Sequence, residues 1–302
     1  MATHSWRLLI TLMLAFFISA CDQSADNAKG AEKSAVQRQI DDKFAAFVKA
    51  ANSESNVNFH SLPEAFFHYQ RETRPELAGN KPLTSYVIMP PTLFRTINER
   101  LDKGLKLPGA LPQLDSAAQA YQASINKLLP LSEKLYAYQQ EKGWLTDGGK
   151  LARRSDADYV AAFSALLIKR DNFLKAISAA NSERIKIAYE NAPKNSAEHY
   201  RNGMVYLSRQ TLQQLSEDRT PAEDKQLNDE AATLKQLSAG WGKLMQQQGN
   251  QRCQNIIDTA NDYIAVLDAA ITQQAQGKEV MEDDIILPFN ALVHALNSHR
   301  SC

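Results

Sequence analysis

The sequence predicts an all-α protein: an elongated antiparallel helical bundle with an irregular proline-rich insert and no significant sheet. Three observations carry this. Apolar residues recur at intervals of three and four along nearly the whole chain, the spacing that gathers them on one face of a helix. Capping residues stand where several of these stripes begin. Seven of the eleven prolines fall in one stretch, Asn52 to Pro112. The one extended run there, Thr84 to Met89, has no second strand to pair with, and a lone strand makes no stable sheet.

The chain opens with an apolar run of 13 residues, Leu8 to Ala20, preceded by Arg7. A membrane-spanning helix needs about 20 residues, so residues 1–20 read as an export signal. The order Ile18-Ser19-Ala20-Cys21 resembles the lipobox of bacterial lipoproteins, in which the cysteine sulfur is acylated and the signal is cut off just before it. Lipidation of Cys21 by palmitate-type chains is therefore expected. An ordinary signal peptide with an accidental cysteine is the alternative. Each buried methylene contributes about 0.8 kcal/mol and one chain alone binds marginally, so several chains would hold the protein firmly at a membrane. Residues 21–33 are polar and read as a flexible tether. Asp22 after the cysteine resembles the retention signal of enterobacterial lipoproteins, which favours the periplasmic face of the inner membrane over the outer membrane.

Residues 34–302 read as the helical bundle domain. Val36, Ile40, Phe44, Phe47, Val48 and Ala51 form the first stripe. The segment 52–112 is read as an irregular cover holding one short helix, Pro63 to Glu72. Leu114, Ala118, Tyr121, Ile125 and Leu128 begin the next helix, which Pro130 should kink without ending, and Thr146 to Lys150 form a turn. The longest stripe runs from Tyr159 to Ala188 behind an N-cap at Ser155, and no Gly or Pro interrupts it before Pro193. At 1.5 Å per residue it would exceed 50 Å. Ser196 caps a helix carrying Tyr200, Met204, Leu207 and Leu212. Thr220 with Pro221 and Glu223 is a strong start for another. Two further stripes, Ile256 to Ile271 and Ile285 to Leu296, complete the bundle.

Thirty-four basic residues balance 34 acidic ones, so nucleic acid is excluded as an expected partner for want of a basic surplus to neutralise phosphates. Once Cys21 is modified, Cys253 and Cys302 remain. An even pair in an exported chain favours a disulfide between them, which an antiparallel hairpin of the last two helices would accommodate. Two unpaired thiols are the alternative.

Groups for chemistry are sparse. No histidine pair has the HExxH spacing that places two imidazoles for zinc. Glu64, His68 and Glu72 would stack on one helical face, but Glu64 is better read as completing a capping box with Ser61. Glu282, Asp283 and Asp284 precede a helix and complement its dipole. Arg170 and Arg184 fall on or beside the longest stripe, where arginines usually lay their methylenes along apolar surface. No metal, cofactor or catalytic residue is expected.

Four stretches, Ile40 to Asn52, Leu114 to Arg153, His199 to Gln210 and Leu287 to Asn297, resemble the YiiG-like bacterial lipoproteins, an all-helical family. The resemblance implies a tethered helical domain and carries over no catalytic residue. The expected function is non-enzymatic binding of another protein in the periplasm, through Phe66, Phe67 and Tyr69 of the proline-rich segment. A periplasmic immunity protein against a toxin, or a small-molecule or lipid binder between helices, are the alternatives.

Overall fold

The computed structural model describes residues 35–53, 61–79, 81–215, 219–250, 253–299 and 302; the signal peptide, Cys21 and the tether lie outside them. All regular structure among the described residues is helical, as the sequence predicts. No helix among them is long and apolar enough to cross a membrane. The chain divides into two compact units between Ala180 and Asn181.

In the first unit, α1 (Ala35–Ala51) packs on α4 (Thr92–Lys106), α4 on α5 (Pro112–Gln140), and α5 on the short α6 (Gly143–Asp147). The helix α7 (Lys150–Asn191) supplies this unit with Ala152, Tyr159, Phe163, Leu166, Phe173 and Ile177, all buried. These residues are three, four or seven apart, so one stripe faces inward throughout. Two phenylalanines on it gather rings from four elements. Phe163 stacks on Phe66 with centroids 4.8 Å apart and meets Phe94 edge-on at 5.6 Å. Phe173 contacts Phe47 and Tyr121. Close approach of α1 and α4 requires Gly104, because a Cβ there would stand 2.7 Å from the Phe47 ring.

The structure corrects the reading of residues 52–112 as irregular. Among its described residues are α2 (Leu62–His68), a π-helical turn (Tyr69–Thr73), α3 (Arg74–Ala78) and all of α4. A proline breaks a helix in its interior but not at its start. Pro63 and Pro75 occupy first-turn positions of α2 and α3, Pro91 is the N-cap of α4, and Pro112 starts α5. In the first turn the missing N–H is one no helix could have bonded. α4 buries the stripe Leu93, Phe94, Ile97 and Leu101, spaced as one helical face.

A second correction concerns the start of α7, which begins at Lys150 and not at Ser155. Asp147 does the capping: its carboxylate accepts from the backbone N–H of Gly149, Lys150 and Leu151 at 2.8, 3.2 and 2.9 Å. The remaining caps stand as read. Ser61 and Glu64 form a capping box, Ser196 accepts from His199 N–H, and Thr220 and Glu223 form a second box behind Pro221. Pro130 lies inside α5 without ending it.

The second unit comprises the end of α7, α8 (Ala197–Leu215), α9 (Pro221–Gln247), α10 (Gln254–Ala275) and α11 (Glu282–Ser298). Cross-contacts fix their directions. Ser238 meets Asn261 at 2.7 Å and Lys235 meets Asp268 at 2.7 Å, so α9 and α10 run antiparallel. The buried side chains of Met204, Leu234, Trp241, Ile256, Tyr263 and Leu292 lie in its core. Tyr263 is wholly buried yet satisfied, donating to the Ser208 carbonyl at 2.9 Å and meeting Thr211 Oγ1 at 3.0 Å.

Cys253 and Cys302 are joined in a disulfide with Cα atoms 5.7 Å apart, tying the start of α10 to the chain beyond α11. Arg201 of α8 donates to the carbonyls of Leu296 and His299, so the same corner is held by hydrogen bonds as well. The bridge closes residues 49 apart, which in the chain-entropy model contributes about 4 kcal/mol. Replacing both cysteines by alanine should lower the urea midpoint without reductant, while wild-type protein in reductant should fall to the same midpoint. Equal midpoints for oxidised wild type and the double variant would mean the bridge adds nothing.

Candidate functional site

The most elaborated region of the first unit is the segment 61–91, laid along the N-terminal part of α7 and the end of α5. Arg153 on the first turns of α7 fastens it. Its guanidinium donates to the carbonyls of Leu77, Gly79 and Lys81 at 3.2, 2.8 and 2.5 Å, and to that of Gly148 at 2.6 Å. Asp156, one turn on, accepts from the Tyr69 hydroxyl at 2.9 Å and from Arg74 Nε at 3.2 Å. Thr73 Oγ1 donates to the Val87 carbonyl and Gln139 accepts from Ile88 N–H, both at 2.8 Å. The run Thr84 to Met89, which forms no strand, is thus held by side chains at Val87 and Ile88.

Beneath it lies an aromatic layer. Tyr86 meets Tyr138 and Trp144, and Tyr69 meets Tyr159. Burial, the largest influence on each, pushes the Tyr69, Tyr86, Tyr138 and Tyr159 phenols above their ordinary value. All four stay protonated near neutrality, and the Tyr69 and Tyr138 hydroxyls donate to Asp156 and Asp147. Asp147 accepts from Tyr138 at 2.6 Å. Burial alone would raise its carboxyl, but the bonds from Tyr138 and the three amides outweigh that and hold it below the usual carboxylate range. The arrangement can order a surface.

Of the three aromatics expected to meet a partner, Phe66 and Tyr69 are core side chains, 9% and 4% exposed. The expectation is corrected for these two because successive positions on a helix point about 100° apart, so α2 turns Phe66 and the π turn turns Tyr69 onto α7 while Phe67 faces away. Phe67 is 57% exposed, with the Arg71 guanidinium 5.1 Å from its ring centroid. Arg71 Nη2 also reaches Glu72 at 2.6 Å, and Glu72 lies 3.2 Å from His68 Nδ1. Those two contacts hold the exposed Glu72 carboxyl below its ordinary value. Phe67, His68, Arg71 and Glu72 therefore make one small amphipathic platform.

Glu64 is engaged in the capping box with Ser61, and His68 meets Glu72. Among the described residues no group of three His, Cys, Asp or Glu side chains is placed to hold a metal ion. Arg170 pairs with Asp171 at 2.9 Å, and Arg184 belongs to the other unit. Sequence reasoning missed Arg71, Arg153 and Asp156. Arg71 could have been found as the cation four residues after an apolar aromatic on a helix. The other two make contacts 72 to 87 residues away along the chain, which local spacing does not encode.

In the second unit a histidine is shifted as well. His199 is buried and stacks on Tyr189 with centroids 4.7 Å apart, while Lys194 lies over the far ring. Burial, and secondarily Lys194, push the imidazole below its ordinary value. The folded protein therefore resists protonation that the unfolded chain accepts, so stability is complete above about pH 6.5 and falls as pH drops below that value. Melting curves from pH 7.5 to 5 should decline more steeply for wild type than for His199→Gln. Parallel declines would remove His199 from the acid response.

A family model described as "Protein of unknown function (DUF3829)" matches residues 38–290. No curated protein and no solved structure matches the chain.

Proposed function

We propose, for a chain that belongs to the DUF3829 family of proteins of unknown function, the role of a lipid-anchored, non-enzymatic protein of the cell envelope that binds another protein in the periplasm. Within the family we place it with the YiiG-like lipoproteins. The observation that carries the reading is the order Ile18-Ser19-Ala20-Cys21 after a short apolar run, with Cys21 as the acylated residue. Asp22 favours retention at the inner membrane. Labelling cells with a palmitate analogue should mark the wild-type protein and leave Cys21→Ser unmarked. Equal labelling of both would sink the anchor.

The recognition surface we assign is the platform of Phe67 with Arg71. An exposed aromatic under a guanidinium, on a segment fixed by Arg153 and Asp156, offers contact area at little ordering cost. A photo-crosslinking residue at Phe67 should give one discrete adduct in cells, lost with Arg71→Glu. The same residue at Lys127, on the exposed face of α5, should give none. Identical adducts from both positions would refute a specific surface at Phe67.

A second reading, a small-molecule binder, has one observation in its favour. A groove of about 410 Å³ between α9 and α10 is lined by Ser238, Gly242, Lys243, Ile257 and Asn261 among others.

A further inference from the structure

The loop between α4 and α5, Leu107-Pro108-Gly109-Ala110-Leu111-Pro112, contains no polar side chain. Pro108, Ala110 and Pro112 are exposed and Leu107 and Leu111 half-buried. Six such residues at a surface turn need an explanation, since turns are ordinarily built from polar residues as well as Gly and Pro. The loop is also rigid by construction. Gly109 has φ +100°, and a Cβ on it would stand 3.0 Å from the backbone of Gln39 and Ile40. Only glycine can seat the loop so closely on α1. Buried Lys43 donates to the Gly109 carbonyl at 3.1 Å and pairs with Asp115 at 2.8 Å, while Asp115 accepts from Leu111 N–H at 3.1 Å. A buried ion pair thus holds an apolar knuckle outward.

Position supplies its occupant. The knuckle rests on α1 within two turns of Ala35, and Val36, on the first of those turns, is 62% exposed. From Ala35 the chain leads back to Cys21 through 13 residues. A polar stretch of that length spans about 20 Å as a coil. A lipid on Cys21 would therefore keep this end of the first unit within about that distance of the bilayer. We propose that the 107–112 knuckle, with Val36, rests in the bilayer interface and orients the unit on the membrane; this rests on the lipid-anchor reading. The nearby charges are Arg38, Lys103 and Lys106 against Asp41, Asp42 and Asp102, with Lys106 and Asp102 paired at 2.5 Å. They cancel, so the contact is apolar and does not require anionic lipid.

The test uses the full lipidated chain on phosphatidylcholine vesicles. Cys21 is blocked by lipid and Cys253 and Cys302 by their bridge, so Ala110→Cys supplies a single thiol for an environment-sensitive nitrobenzoxadiazole label. Lys150→Cys supplies the control. It lies beyond the far end of α5, whose 29 residues span about 43 Å. The label at Ala110 should brighten roughly twofold or more on vesicle binding and be quenched by nitroxide lipid. The label at Lys150 should do neither. Pro108→Cys replaces Ala110→Cys if the latter melts early. Vesicle-bound protein whose Ala110 label stays aqueous overturns the knuckle and leaves the anchor standing. So does equal brightening at both positions, or brightening without vesicles that grows with protein concentration, which would mark a second copy as the occupant. Chains that fail to float with vesicles overturn the anchor and the knuckle together.

Discussion

The surface of the first unit depends on one guanidinium. Arg153 donates to the carbonyls of Leu77, Gly79 and Lys81 and to the turn that precedes α7. Backbone carbonyls in a segment without helix or ladder partners need donors from elsewhere. A lysine would offer a point charge where these carbonyls meet a planar fork. Because Arg153 sits one turn into α7, the segment inherits the rigidity of the longest helix. That contact and Asp156 beside it, together with Gln139 and the Phe66–Phe163 stack, position the segment that displays Phe67 and Arg71.

Legibility from the sequence followed the range of the interactions. Helix starts whose caps are local, such as that of α9 at Thr220-Pro221-Glu223, were readable to the residue. So was the disulfide, because two cysteines in the domain leave one pairing. What failed was context. Pro91 and Pro112 look alike as breakers or as starters until something says which side of them is helical. Ser155 is a good cap residue, but Asp147 reaches the free amides first because Gly148 and Gly149 turn the chain back over its carboxylate.

The same limit explains the aromatics. Phe66 and Phe67 are chemically identical neighbours, and nothing local distinguishes the one that stacks on Phe163 from the one left in solvent. Only the phase of α2 against α7 does so, and the π turn after His68 shifts that phase before Tyr69. Apolar content told how much would be buried; the register between helices chose which.

The distribution of tryptophan gives each unit its own spectroscopic signature. Trp144 lies half-buried against Tyr86 and Tyr138 in the first unit, and Trp241 is wholly enclosed in the core of the second. An enclosed indole emits at shorter wavelength than one near water, so the two report separately as the chain unfolds. With Trp6 lying in the segment that signal cleavage would remove, the emission band becomes a two-channel record of whether the units melt in one cooperative step or in two.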